Sequence, residues 1–260
     1  MTNIIETLGR ESINTCRQFG RSGIFLLRII FCRVKFSRLL HLTLEEIYYI
    51  GVYSLVVIAV AALFVGYVVG LQGFNTLEKF ASTANLGQMV ALSITRELGP
   101  VLSALLFIGR ACSALTAEIA LMKTTEQLST MEMMGVDPLW RIIAPRFWAG
   151  VISLPILGMI FSVVAIYGGY LVGVRWLELD SGTFWNVMHS TVNFRIDVLS
   201  GIIKSIVFGV VASWIAVYQG FVTEPTALGI SRATTKTVVW ASLAILGLDA
   251  VLTSLMIEGW

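Results

Sequence analysis

Residues 52–71 read VYSLVVIAVAALFVGYVVGL, twenty residues without a charge. At about 1.5 Å per residue, a helix of that length spans about 30 Å, the thickness of a bilayer's hydrocarbon core. Four more segments share this character. The spans fall at roughly 47–71, 88–122, 142–173, 198–219 and 239–258. The whole composition agrees: 57% hydrophobic residues, 13% charged and a mean hydropathy of +0.84. A soluble domain is nearer one quarter charged, so most of this chain faces lipid or other apolar helices. The expected fold is an all-α integral membrane protein of about five transmembrane helices. Its expected parts are an N-terminal segment, 1–45, and a transmembrane domain, 46–260.

Segment 1–45 carries seven basic residues, Arg10, Arg17, Arg21, Arg28, Arg33, Lys35 and Arg38, among apolar ones such as Ile4, Leu8, Ile24, Leu27 and Phe31. Arginine interrupts the apolar runs too often for a span. The pattern fits one or two amphipathic helices in the headgroup region. Glu6 and Glu11 precede any apolar run, unlike a cleavable signal peptide. Twelve basic residues fall in segments on the N-terminal side of the membrane, against Lys79, Arg175 and Arg195 on the other. The positive-inside rule then puts the N-terminus in the cytoplasm and, after five spans, the C-terminus outside.

Several chemistries are missing. No phosphate-binding G-x-x-x-x-G-K-[ST], no H-E-x-x-H and no G-x-S-x-G occurs. His41 and His189 lie outside the expected spans, and Cys16, Cys32 and Cys112 have no metal-ligand spacing. The chain is expected to be no enzyme and to hold no metal or cofactor. Topology alone accounts for its basic residues, which excludes nucleic acid as a partner.

Four charges lie inside the spans: Arg96 and Glu97 in the second, Lys204 in the fourth and Asp249 in the fifth. Each costs at least about 2.5–3.5 kcal/mol near the bilayer centre unless it faces protein or water. Counting residues puts Glu97 about 13 Å, Lys204 about 9 Å and Asp249 about 14 Å from the outer helix ends, one layer in the outer half. A structural ion-pair network and a polar patch for a lipid headgroup both fit, and the residues alone leave the two open. Arg110 and Glu118 lie farther toward the cytoplasm. Gly99-Pro100 predicts a kink. Gly66-x-x-x-Gly70 and Gly169-x-x-x-Gly173 predict close helix contacts. Phe74, Leu77 and Phe80 recur every three residues, as on a short external or re-entrant helix.

Between the second and third spans, Thr124-Thr125-Glu126-Gln127 has the form of a capping box. Leu128, Met131 and Met134 follow at helical spacing, Gly135 can close the helix left-handed, and Pro138 stops it. This predicts a short amphipathic cytoplasmic helix, with methionines suited to an adaptable partner contact or to the membrane surface.

These motifs also carry a resemblance. Arg96-Glu97-Leu98-Gly99-Pro100, Gly109-Arg110, Ala117-Glu118-Ile119, Met131-Glu132-Met133-Met134, Asp137-Pro138-Leu139, Pro145-Arg146-Phe147-Trp148-Ala149-Gly150, Gly229-Ile230-Ser231-Arg232 and Leu246-Gly247-Leu248-Asp249 resemble the MlaE family. These are the permease subunits of phospholipid-transporting ABC systems associated with MCE proteins. The resemblance implies a homodimer in a Gram-negative inner membrane, C-terminus periplasmic. It implies an ABC ATPase partner that binds ATP and Mg, an MCE-domain lipid-binding protein and a STAS-domain protein. The implied substrate is membrane glycerophospholipid moving between inner and outer membranes, which maintains outer-membrane lipid asymmetry. By position, it implies lipid contact at Arg96, Glu97, Leu98, Lys204, Asp249, Leu77 and Phe80. It makes the 124–137 helix a coupling helix, with Glu126, Leu128, Met131, Glu132, Met134 and Asp137 toward the ATPase. The alternative is a secondary transporter or channel without an ATPase. The lack of an internal repeat speaks against many such carriers.

Overall fold

The computed structural model describes residues 17, 20–31 and 36–258. Ile4, Leu8, Arg10, Arg33, Lys35, Cys16 and Cys32 lie outside the described residues. Helix α1 (20–30) turns Phe25 and Ile29 onto the bundle and leaves Ile24, Leu27 and Phe31 exposed. Trp214 Nε1 donates to the Ser22 carbonyl at 3.0 Å, fixing α1 to the fourth span.

Helix α2 (Phe36–Ile47) passes through a wide π turn, Tyr48–Val52, directly into α3 (Tyr53–Glu78). The external helix expected around Phe74, Leu77 and Phe80 is therefore not separate. Phe74 and Leu77 belong to the end of α3, and Phe80 sits in the turn after it. The apolar period simply continued the first span. The second span is segmented: α4 (Leu86–Ser93), a π turn Ile94–Leu98, α5 (Gly99–Phe107), a second π turn Ile108–Cys112, and α6 (Ser113–Thr124). The first break sits where Pro100 predicts one. Proline has no N–H to give the carbonyl a turn back, so the helix widens there.

Helix α7 (Gln127–Met133) follows. Then come a π turn Leu139–Ile143, α8 (Ala144–Tyr170) and a π turn Leu171–Trp176. Helix α9 (Ser181–Thr191) lies at the opposite end from α7; Asp180 caps it, accepting from the Thr183 N–H at 2.7 Å. A π turn Phe194–Val198 leads into α10 (Leu199–Val222), and α11 (Ala227–Glu258) closes the chain.

Five helices are long and apolar enough to cross a membrane: Leu39–Glu78, Thr83–Thr124, Leu139–Trp176, Arg195–Val222 and Ala227–Met256. No strand occurs among the described residues. The fifth helix begins twelve residues before its expected start at 239. Its first turns carry exposed Arg232 and Lys236, and its 32 residues outreach the hydrocarbon core, so polar turns extend the helix beyond the apolar run.

Helix α8 is the central element, packed against α3 on one side and α10 on the other, while α11 lies outside against α10 and α6. The two glycine motifs meet each other here. A Cβ on Gly66 would collide with the Ala165 carbonyl, and one on Gly70 would lie 3.1 Å from the Gly169 Cα. Both sets of small residues join α3 to α8 within one chain.

Candidate functional site

Arg96 occupies the π turn of span two and Asp197 the π turn before α10, and the two turns touch. Arg96 Nε donates to Asp197 Oδ1 at 2.6 Å, and Arg96 Nη2 reaches the same oxygen. The other Asp197 oxygen accepts from the Asn193 N–H at 2.7 Å. Asp197 is thus buried and filled, whereas the Arg96 side chain stays 50% exposed. Its neighbour Glu97, about 100° around the helix, is exposed and makes no hydrogen bond or ion pair among the described residues. Leu98 is half-buried.

Lys204 pairs elsewhere. Its Nζ donates to Asp249 Oδ1 at 3.2 Å and to Thr253 Oγ1 at 2.7 Å, tying α10 to α11. The Lys204 side chain is only 3% exposed and that of Asp249 22%. Asp197 and Lys204 stand seven residues apart on one helical run, about 10 Å along it. The expected single layer is therefore two storeys, because spacing from a helix end gives depth only to within the error in locating that end. Leu77 packs against the core, and Phe80 is three-quarters exposed in the turn at the bundle's end.

Sequence reasoning missed Asp197. Its signal was an acid in the first turn of a span, where the helix dipole and free N–H groups favour it. It also treated Arg146 as a topology charge. That side chain is nearly enclosed and bridges Glu46 at 3.0 Å and Glu118 at 3.1 Å, so it joins α8 to α2 and α6.

At the other end of the bundle, α7 presents the second candidate surface. Leu128 is buried and holds the helix down; Met131 is half-buried. Glu126, Glu132, Met134 and Asp137 are exposed, as is Met133, at 81%. The expected capping box does not form. The Thr124 and Thr125 hydroxyls bond back to the Ala120 and Leu121 carbonyls at 2.8 and 3.0 Å, so they finish α6 instead. Glu126 takes the cap position with φ +57°. The far end forms as expected: Gly135 has φ +74°, its N–H bonds the Glu132 carbonyl at 3.0 Å, and the Val136 N–H bonds that of Met131 at 2.9 Å. Asp137 Oδ1 accepts from the Leu139 N–H at 2.9 Å and fixes the exit. Lys123 Nζ donates to the carbonyls of Phe221 and Thr223 at 2.8 and 2.7 Å, so the base of α7 is locked to the end of α10.

Comparison with known proteins gives a consistent answer. The family described as Permease MlaE matches residues 43–255. The chain is 51% identical over 256 residues to a Haemophilus influenzae protein, the intermembrane phospholipid transport system permease protein MlaE, covering 98% of each chain. It is 35% identical to a probable ABC transporter permease protein of Rickettsia bellii over 99% of both. A chloroplast protein of Arabidopsis thaliana, TRIGALACTOSYLDIACYLGLYCEROL 1, is 29% identical over 92% of this chain and 67% of its own length.

Proposed function

The chain belongs to the MlaE permease family, and from that premise we propose that it is the membrane subunit of an ABC transporter moving glycerophospholipid between inner and outer membranes. The observation that carries this reading is the exposure of Arg96 and Glu97 inside an apolar, membrane-length helix, well away from either end. Charges at that depth do not face hydrocarbon; they face protein or a water-filled cavity. A second copy of the chain placed against this face would enclose such a cavity, open to a headgroup at Arg96 and Glu97. Leu98, Leu77 and Phe80 would run along the acyl chains, with Asp249 at the cavity's edge. Lys204, already enclosed by Asp249 and Thr253, would hold the wall in this conformation.

Energy would enter at α7. A short helix with two exposed methionines and an exposed Glu132, held rigidly to α6 and α10 through Lys123, suits a groove on a separate ATP-binding subunit, which would carry ATP and Mg. The remaining proposed partners are an MCE-domain lipid-binding protein at the periplasmic face and a STAS-domain protein with the ATPase. The basic-residue asymmetry supports a cytoplasmic N-terminus and α7 in a bacterial inner membrane.

The test uses the chain purified alone and with its ATP-binding partner. The isolated chain should hydrolyse no ATP, and the complex should show phospholipid-dependent hydrolysis. Glu132→Lys should reduce that activity several-fold, by weakened assembly or lost coupling, without unfolding the bundle. Hydrolysis by the isolated chain, or a Glu132→Lys complex with wild-type assembly and activity, would count against this reading.

A further inference from the structure

A cavity of about 430 Å³ opens at the α7 end of the bundle between α2, α6 and the start of α8. Its lining includes Glu46, Tyr49, Tyr53, Arg110, Glu118 and Arg146. Arg110 follows Arg96 by fourteen residues, about 20 Å along the span, so this place is separate from the lipid site proposed above.

The charges in it divide into explained and unexplained. Arg146 is explained as a bridge between Glu46 and Glu118. Arg110 has no carboxylate partner among the described residues. Only its Nη1 is used, donating to the Tyr49 and Ile50 carbonyls at 3.0 and 3.3 Å and to Ser54 Oγ at 3.2 Å. The Tyr53 ring centre lies 5.6 Å from its guanidinium carbon. The three N–H groups on Nε and Nη2 remain uncommitted. Glu118 gives one oxygen to Arg146, yet its side chain is 57% exposed. One cavity thus holds a cation with spare donors and a carboxylate with a spare oxygen.

Their spacing describes a ligand. The Arg110 head sits against residues 49–54, while the Arg146 pair sits at Glu46, three to eight residues or about 5–12 Å nearer the α7 end. A matching molecule carries a phosphate and, a few ångströms away, a cation with N–H groups. Tyr49 stacks on Tyr53, Tyr48 meets both edge-on, and all three residues are more than half exposed. Tyrosine clusters of this kind mark the membrane–water interface, which puts the cavity at headgroup level.

We infer that this cavity binds the headgroup of an ethanolamine phospholipid from the leaflet at the α7 end, phosphate on Arg110 and ammonium on Glu118. A choline headgroup has no N–H for Glu118, and a glycerol headgroup has no cation. The inference goes beyond the transport reading and requires only that the chain spans a membrane.

The full chain, delipidated in detergent, is given equal amounts of dioleoyl phosphatidylethanolamine, phosphatidylcholine and phosphatidylglycerol. Native mass spectrometry then counts retained lipids. The ethanolamine lipid should be preferred by at least about tenfold, the factor that one charge-assisted hydrogen bond supplies. Glu118→Gln, which keeps an acceptor oxygen for Arg146 while Glu46 keeps its charge pair, should remove the preference. Ala114→Trp, which fills the cavity from an exposed lining position, should remove the lipid itself. Gly247→Ala, outside the cavity lining and with open space at its added Cβ, should leave it bound. Absence of preference in the wild type, or full preference in both cavity variants, overturns the inference. A preference lost only in Arg96→Ala also overturns it, assigning selectivity to the other site and leaving the transport reading intact.

Discussion

Lys204 and Arg96 show how differently two intramembrane charges can be used. The Lys204 ammonium is enclosed and shared between Asp249 and Thr253, so its replacement leaves a carboxylate in the membrane without its partner. Breaking a buried pair on one side costs about 3–5 kcal/mol. Lys204→Ala should lower the thermal unfolding temperature of the detergent-solubilised chain strongly, and Lys204→Met with Asp249→Leu should recover much of it. A Lys204→Ala chain that unfolds at the wild-type temperature would show that this pair is no staple. The sequence made Arg96, Glu97, Lys204 and Asp249 visible, because a charge in an apolar run is conspicuous. It did not assign their partners. Residue counts fix depth, but pairing depends on which way each helix is turned. Arg96 and Glu97, adjacent in sequence, diverge by a quarter turn or more, and only Arg96 reaches Asp197.

Among the elements, the long apolar helices were legible because twenty uncharged residues have few alternatives in water. The stop of α7 was legible too, since Gly135 and Pro138 have specific backbone roles. Its start was not, because threonine hydroxyls serve either the helix before or the helix after. The π turns left a sign at Pro100 and at Pro145, each two residues past the end of one; elsewhere the extra residue per turn is decided by packing. The glycine motifs announced close contact without naming the partner, and the structure supplies it as α3 on α8. There, Gly66→Ala drives a methyl group into the Ala165 carbonyl, which is backbone and cannot rotate aside. The loss should reach or exceed the roughly 1–3 kcal/mol typical of overpacking. Gly247→Ala, with no atom within 4 Å of its added Cβ, is the control and should be near neutral. Equal unfolding temperatures for the two variants would refute the α3–α8 crossing.

At the scale of the molecule, one chain closes a core around α8 yet leaves Arg96 and Glu97 uncovered, and leaves α7 with exposed methionines at the far end. A bundle complete in itself would need neither feature. On the reading proposed above, the polar face meets lipid and a second copy within the membrane, and the rigid knob meets a motor outside it. Both the headgroup and the second copy depend on that polar face, so the most direct measurement is phospholipid retained per chain. The full chain with its ATP-binding partner is washed extensively in detergent, and lipid is quantified for the wild type and for Arg96→Ala with Glu97→Ala and Asp197→Asn, the last so that no buried carboxylate is left without its cation. The triple variant should assemble normally and lose one phospholipid per chain relative to the wild type. The same phospholipid content in both would contradict a headgroup site at these residues.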